Sequence, residues 1–255
     1  MILGAQSYTI RTFMQNERDM RRSLRRVAEM GYTAVQISAI GPIDPKALRA
    51  ICDEYGLKIA LTHTREDRIL NDIEGVIREH ETLGCPYVGI GSMPDRYRVT
   101  PEWVGYFVED FLPVAQKMKE AGLYFMYHNH NFEFERMSDG RRMMDRLVEA
   151  FPAELMGFTL DTYWLQAAGC DVYEWIKKLS GRIPCVHLKD MAVRGSEIRM
   201  AAVGQGNLHW EKIFATIEAC GGTKYMLVEQ DECYGEDPFV CLKKSYDYAA
   251  GYGHR

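Results

Sequence analysis

The sequence lacks long apolar runs, an excess of basic residues and paired cysteines. None of its hydrophobic stretches approaches the roughly 20 residues that span a bilayer, and residues 1–7 lack the basic and apolar regions of a signal peptide. The net charge of −5 argues against a general nucleic-acid binder, which usually presents a basic face. The seven cysteines form no CxxC pair, so no cysteine zinc site is expected. We therefore expect a reduced, cytoplasmic protein that has neither a membrane nor nucleic acid as its partner.

Two kinds of segment alternate along the 255 residues. Short runs typical of buried strands occupy residues 3–8, 34–38, 58–62, 87–91, 123–128, 156–160, 185–188 and 225–229. Segments with the helical spacing of apolar residues occupy 20–30, 45–55, 67–83, 101–121, 140–150, 172–179, 210–220 and 238–249. No linker or low-complexity segment interrupts this alternation, so we predict one domain over residues 1–255.

The number of repeats indicates how the strands are arranged. Repeated βα units require parallel strands, and eight units of roughly 32 residues each match a closed barrel. An open doubly wound sheet is the alternative, but its first strand is more often followed by a glycine-rich turn, and residues 6–9 contain no glycine. We therefore predict an α/β fold, a single (β/α)8 TIM barrel, with the active site at the C-terminal strand ends.

Polar side chains follow five of the eight predicted strands. These ends contain His63, the segment 128–133, Asp161, the segment 187–190 and the segment 229–232. Unpaired charges are costly to bury there, and a divalent cation bound by carboxylates and imidazole would relieve that cost. Four residues from four strands form the predicted metal site: Glu133, Asp161, His187 and Glu229. Mostly hard ligands favour one Mn²⁺ or Mg²⁺ ion, with Co²⁺ and Zn²⁺ as alternatives.

Each predicted ligand also has a purely structural interpretation. Asp161 could cap the helix that follows its strand, and His187 could be a histidine of the core. Glu133 could lie in solvent at the rim. Asp231 and its neighbour Glu232 compete with Glu229 for the position at the last strand end.

Several segments resemble the xylose isomerase-like barrel superfamily, and specifically its sugar phosphate isomerase/epimerase group. The resemblance covers essentially the whole chain and rests on residues 128–134 (HNHNFEF), 160–162 (LDT), 186–190 (VHLKD), 204–206 (GQG) with Trp210, and 228–231 (VEQD). It implies a Glu/Asp/His/Glu metal site at Glu133, Asp161, His187 and Glu229, with the two glutamates on opposite sides of a bound sugar. His209 departs from the acidic residue usual in the family. Trp164 stands where a DNA-repair branch of the superfamily has a zinc-binding histidine, so a three-zinc cluster is not expected.

The resemblance and the strand ends together predict a metal-dependent sugar isomerase or epimerase acting on a ketose or keto-sugar. Proton abstraction next to a carbonyl would pass through a metal-stabilised enediolate. The predicted catalytic residues are Glu133, Glu229 and His130. The predicted substrate contacts are His63, His128, Lys189 and Trp164.

Two other functions fit the same residues. A lyase could remove a β-substituent from a 3-keto C-glycoside, working with a partner subunit, or dehydrate a keto-inositol. A non-enzymatic sugar-binding or assembly subunit could keep the metal for structure. Self-association is also left open, since the aromatic residues Trp103, Tyr106, Phe107 and Phe111 form either an exposed oligomer surface or part of the packing on the barrel wall.

Overall fold

The computed structural model describes residues 1–98 and 103–254. Its strands are β1 (Ile2–Gln6), β2 (Ala34–Ile37), β3 (Lys58–His63), β4 (Tyr87–Ile90), β5 (Tyr124–His128), β6 (Met156–Asp161), β7 (Cys185–Leu188), β8 (Asp190–Arg194), β9 (Glu197–Ala201) and β10 (Tyr225–Val228). Its α-helices are α1 (Glu17–Glu29), α2 (Pro45–Glu54), α3 (Glu66–Asn71), α4 (Ile73–Leu83), α5 (Trp103–Glu120), α6 (Met143–Ala150), α7 (Thr162–Ala167), α8 (Val172–Lys178), α9 (Trp210–Cys220) and α10 (Pro238–Ala250). Short 3-10 helices cover Ser7–Phe13, Asp95–Tyr97 and Phe132–Phe134.

Eight strands pair in parallel and close into a barrel in the order β1, β2, β3, β4, β5, β6, β7 and β10. The closing pair joins β10 to β1, with Ile2 opposite Tyr225. The prediction of a (β/α)8 barrel is therefore confirmed. An antiparallel hairpin, β8–β9, follows β7 before α9 begins. The sequence does not predict this hairpin, because its short strands lie largely at the surface and lack a continuous apolar run.

Side chains alternate between the two faces of the barrel wall, as they do in any strand. A small apolar cluster fills the interior and consists of Ala34, Ala60, Leu61, Met126, Cys185, Tyr225 and Leu227. A larger cluster lies between the wall and the helices. In β5 this alternation turns Tyr127 towards the helical layer, where its ring is 5.7 Å from that of Phe107. The next residue, His128, consequently faces the interior.

Side-chain caps explain where several helices begin. The amide oxygen of Asn16 accepts a hydrogen bond from the backbone of Asp19 at the start of α1. Asp72 divides the predicted helix 67–83 into α3 and α4, because its side chain caps α4 by accepting from Gly75 N–H. The predicted helix 101–121 corresponds to α5, and its first two residues lie outside the described residues.

The aromatic residues of α5 pack mainly against the barrel. Trp103, Phe107 and Phe111 are buried, whereas Tyr106 is 55% exposed. The stacked rings of Phe107 and Phe111 lie 4.3 Å apart, centroid to centroid. The prediction that all four aromatic residues form an exposed oligomer surface is therefore wrong. The alternative, that these residues pack on the barrel wall, is confirmed for Trp103, Phe107 and Phe111. Within residues 1–98 and 103–254, no helix is both long and apolar enough to cross a membrane.

Candidate active site

Four buried side chains converge at the C-terminal ends of the strands. His128 ends β5, Asp161 ends β6, His187 lies in β7, and Glu229 directly follows β10. Their ligand atoms all lie within 4.8 Å of one another. His187 Nδ1 is 3.0 Å from Glu229 Oε2 and 3.1 Å from His128 Nε2. His128 Nε2 is in turn 3.3 Å from Asp161 Oδ2. We call these four residues the ligand cluster.

The far nitrogen of each histidine contacts a carbonyl oxygen. His128 Nδ1 is 2.8 Å from the backbone oxygen of Gly91, and His187 Nε2 is 2.7 Å from Oε1 of Gln36. A carbonyl oxygen can only accept, so each of these nitrogens carries the ring proton in the neutral form. The lone pairs of the two near nitrogens then face each other and two carboxylate oxygens. With both rings neutral, none of these four acceptors donates to another, and a cation stabilises such an arrangement.

The two carboxylate oxygens of Asp161 have different roles. Oδ1 accepts from the backbone N–H of Trp164 at 3.0 Å and so caps α7. Oδ2 faces the ligand cluster, and the backbone N–H of Asp161 donates to Oδ1 of Asn129. The two interpretations of Asp161 that the sequence left open are therefore compatible, and the cap fixes the carboxylate in its orientation.

Lys189 brings a positive charge beside the ligand cluster. Its ammonium nitrogen is 2.6 Å from Asp231 Oδ2, 3.3 Å from Glu229 Oε2 and 3.7 Å from Asp161 Oδ2. Burial opposes the charge, but the three carboxylates outweigh it and raise the pKa of Lys189. With His187 neutral, three ionised carboxylates against one ammonium leave two uncompensated negative charges, which one divalent cation would neutralise.

The carboxylates and His187 shift one another's protonation. Burial opposes ionisation of Glu229, but Lys189 and His187 lower its pKa well below the usual range. Burial and the neighbouring Glu229 raise the pKa of Asp231 to about 6. Burial alone would lower the pKa of His187, yet Glu229 and Asp161 raise it to about 9. A proton on His187 Nδ1 therefore occupies the place that a cation would take.

A cavity of about 290 Å³, here called the site cavity, opens beside the ligand cluster. Its lining consists of Tyr8, Ser38, His63, Gly91, Ser92, His128, His130, Lys189, Glu229 and Asp231. His63 Nδ1 contacts Ser38 Oγ at 3.2 Å. Among the described residues, His63 Nε2 and His130 Nδ1 are buried and have no hydrogen-bond partner. Burial lowers the pKa of both rings, that of His130 to about 3, so both are neutral at pH 7.

Trp164 contacts two of the residues that line the site cavity. Its ring lies 5.0 Å from the ring of His130, and the ammonium of Lys189 lies 5.0 Å from its ring centroid. Its indole nitrogen is buried and has no partner within the described chain. Its predicted role as a direct substrate contact stays a prediction.

The structure does not bring Glu133 into the ligand cluster. Its Oε1 accepts from the hydroxyl of Tyr127 at 2.8 Å, and its Oε2 accepts from the backbone N–H of His130 at 2.9 Å. Because Tyr127 faces the helical layer, Glu133 lies with it on the outer side of β5. His128 takes the position in the cluster that the sequence analysis had assigned to Glu133. Burial raises the pKa of Glu133 to about 7.

Sequence reasoning missed Gln36, and it named Asp231 only as an alternative to Glu229 at the last strand end. Gln36 orients His187, and Asp231 holds Lys189. Strand alternation could have identified His128, since it is the last residue of β5 and faces opposite to the apolar Tyr127. Nothing in the sequence marks Gln36, because it lies inside an otherwise apolar strand.

A larger cavity, of about 680 Å³, lies at the other end of the barrel. It is bordered by residues that precede or begin the strands, among them Lys58, Pro86, Leu123 and Lys224. Active sites of TIM barrels lie at the C-terminal strand ends, so size does not make this cavity the better candidate. The smaller site cavity has two residues of the ligand cluster, His128 and Glu229, in its wall.

Comparison with known proteins relates the whole chain to one family. The family model of the xylose isomerase-like TIM barrel matches residues 24–239. The inosose dehydratase of Geobacillus kaustophilus (strain HTA426) is 25% identical over 261 residues, covering 88% of this chain and 82% of that protein. A sugar phosphate isomerase/epimerase from Parabacteroides distasonis ATCC 8503 has a TM-score of 0.80 at 23% identity, covering 96% of this chain and 92% of the other. The IOLI protein, solved with a zinc atom, has a TM-score of 0.70 at 14% identity, covering 98% and 97%. Because the family model matches most of the length of this chain, the chain belongs to the xylose isomerase-like TIM barrel family.

Proposed function

We propose that the chain is a metal-dependent lyase that removes a β-substituent from a keto-polyol, with dehydration of a keto-cyclitol as the simplest case. The observation that carries this proposal is the position of Glu133 behind β5, hydrogen-bonded to Tyr127. Epimerisation by two carboxylates requires one on each side of the substrate. The other carboxylates near the site cavity, Glu229 and Asp231, both lie around Lys189.

The ligand cluster fits one divalent cation. His128, Asp161, His187 and Glu229 would hold it, and two imidazoles with two carboxylates suit Mn²⁺, Co²⁺ or Zn²⁺. The bound cation would act as a Lewis acid on the substrate carbonyl. Gln36 and Gly91 support this assignment, because each fixes the tautomer in which a ring nitrogen is free to coordinate.

Glu229 would accept the proton from the carbon next to the carbonyl. Its carboxylate stays ionised because Lys189 and His187 lower its pKa. The cluster uses Oε2 of Glu229, which leaves Oε1 for the proton. A carboxylate in this role typically contributes about 10²–10⁴-fold to the rate.

Lys189 would donate a proton to the departing hydroxyl group. Its raised pKa keeps the ammonium charged at neutral pH, and Asp231 holds it at the wall of the site cavity. One C–H bond and one C–O bond break, the proton from carbon goes to Glu229, and the hydroxyl leaves as water with a proton from Lys189. His63 and His130 line the site cavity and would contact the other hydroxyls.

The direct test is incubation with an inosose and Mn²⁺ in deuterated water, followed by NMR of the products. We expect loss of one water and a conjugated, ultraviolet-absorbing product. Glu229→Gln should reduce turnover by at least about 10². Glu232→Gln, on the same loop but exposed, is the matched control and should keep full activity. Formation of a deuterated epimer without loss of water would overturn the lyase proposal in favour of an epimerase.

A further inference from the structure

The site cavity adjoins two further cavities at His63. A cavity of about 210 Å³ shares His63, Gly91 and Ser92 with it. A third, of about 400 Å³, shares Ser38 and His63 with the site cavity. Because all three cavities are bordered by His63, they lie side by side over the ends of β2, β3 and β4, and we call this row of cavities the trench. We call the third cavity the side chamber.

Apolar side chains dominate one wall of the side chamber. They come from the end of β2, the following loop and α2: Ile37, Ile40, Pro42, Ile43, Pro45 and Leu48. The side chamber is larger than the site cavity, so a free monosaccharide bound beside the ligand cluster would leave it unfilled. A wall of this kind stabilises apolar rather than hydroxylated groups.

The loop that borders the side chamber is held in an unusual backbone conformation. Ala39 has a φ of +52°, although it is not glycine. The amide nitrogen of Gln15 donates to the backbone oxygen of Ala39 at 3.0 Å, and the backbone N–H of Gly41 donates to Met14 at 2.8 Å. Non-glycine residues in this region persist where their surroundings fix them, often beside ligands. These contacts keep the loop in place at the wall of the side chamber.

The charges at the outer rim of the trench are already paired. Arg65 makes two hydrogen bonds to Asp67, at 3.0 and 2.8 Å. Arg68 donates to Glu79 at 2.6 Å. These carboxylates neutralise the two guanidinium groups and weaken their attraction for an anion, so the trench favours an uncharged ligand over a phosphate.

From these features we propose that the substrate carries an uncharged apolar substituent, such as the aryl or alkyl group of a glycoside, which binds in the side chamber. The inference rests on the proposed function for the sugar end of the molecule. It adds that the preferred substrate is a substituted keto-sugar rather than a free or phosphorylated one.

Binding of unreactive glucosides tests the side chamber without requiring turnover. Phenyl β-D-glucoside and methyl β-D-glucoside have no keto group and cannot be deprotonated next to one. By calorimetry on the Mn²⁺-loaded protein, we expect the phenyl compound to bind at least about tenfold more tightly. Equal affinities, or tighter binding of glucose 6-phosphate than of either glucoside, would overturn the proposal.

Variants that fill the side chamber test whether the preference for the phenyl compound arises there. In Ile43→Trp, and independently in Ile40→Trp, the preference for the phenyl compound should fall below about twofold while methyl glucoside binds as before. Ile198→Trp places the same ring on the exposed hairpin, where Ile198 is 52% exposed, and should leave the preference intact. A preference that survives both filling variants contradicts the proposal. Failure of inosose to react, with the phenyl preference intact, would count against the proposed function alone.

Discussion

The Nε2 atom of His128 and the Nδ1 atom of His187 lie 3.1 Å apart, and each ring is held from behind by an oxygen that can only accept. In the neutral forms neither near nitrogen carries a proton to share with the other. The contact is therefore unfavourable unless a proton or a cation lies between the two rings. The predictions on metal binding below follow from this relationship.

The first prediction distinguishes His128 from Glu133 as a metal ligand. His128→Ala should bind Mn²⁺ at least about 100-fold more weakly, because it removes one of four ligands. Glu133→Gln should bind Mn²⁺ nearly as the wild type, since its carboxylate contacts Tyr127 and His130 rather than the cluster. Titration calorimetry with elemental analysis measures both. The opposite ranking would restore Glu133 as the ligand that the sequence analysis predicted.

The second prediction concerns Gln36, which contacts His187 at 2.7 Å. Gln36→Leu has nearly the same volume but cannot accept the proton of His187 Nε2. We expect Mn²⁺ affinity to fall about 10–100-fold, the usual effect of removing a group that orients a metal ligand. Gln15→Leu, a change of the same kind away from the ligand cluster, is the control. Unchanged affinity in Gln36→Leu would show that His187 does not coordinate through Nδ1.

The third prediction concerns the pH dependence of metal binding. Glu229 and Asp161 raise the pKa of His187 to about 9 in the metal-free protein, so a proton must leave when a cation binds. The affinity for Mn²⁺ should therefore rise about tenfold per pH unit between pH 6 and 8, with one proton released per ion. Calorimetry in buffers of different ionisation enthalpy counts that proton. An affinity that does not vary over this range would contradict the assignment.

The same shift determines how the metal-free protein responds to pH. The pKa of His187 is higher in the folded state than the usual value near 6.5. Its contribution to the free energy of unfolding is then complete below about pH 6.5 and is lost as the pH rises through about 9. Denaturant unfolding of wild type and His187→Gln across this range should show the difference shrinking with rising pH.

The fourth prediction concerns a buried carboxylate outside the ligand cluster. Asp190 accepts from Trp210 Nε1 at 2.7 Å and from the backbone N–H groups of Gly204 and Gly206 at 2.9 and 3.0 Å. Asp190→Ala leaves these buried donors unpaired and should lower the free energy of unfolding by about 3 kcal/mol.

An exposed aspartate provides the comparison for Asp190. Asp247 pairs with Lys243 on the surface of α10, and such pairs contribute less than about 1 kcal/mol. Asp247→Ala should therefore change the free energy of unfolding by less than about 1 kcal/mol in the same urea titration. Similar effects of the two substitutions would mean that the contacts of Asp190 are replaced by water.

The barrel and most of the candidate site could be predicted from the spacing of apolar residues. A period of two residues indicates strands and a period of 3.6 indicates helices, and the two kinds of segment alternate along the chain. Asp161 ends β6, His187 is the last residue but one of β7, and Glu229 follows β10, so parallel pairing alone brings them together. Glu133 could not be placed in this way, because it lies five residues beyond β5 in a 3-10 turn. The direction of that turn depends on the hydroxyl of Tyr127, a contact between residues that no periodicity relates.

The pairing of β1 with β10 also bears on how the chain folds. Ile2 and Tyr225 are neighbours across this pair, although most of the sequence separates them. Until β10 docks, β1 and β7 present open edges that can pair with other chains, and contacts of such long range form slowly. Glu229 directly follows β10, so the ligand cluster is complete only once the last gap has closed. A cation bound there would favour the closed barrel over its open intermediates by mass action, and would shorten the time for which those edges are exposed to aggregation.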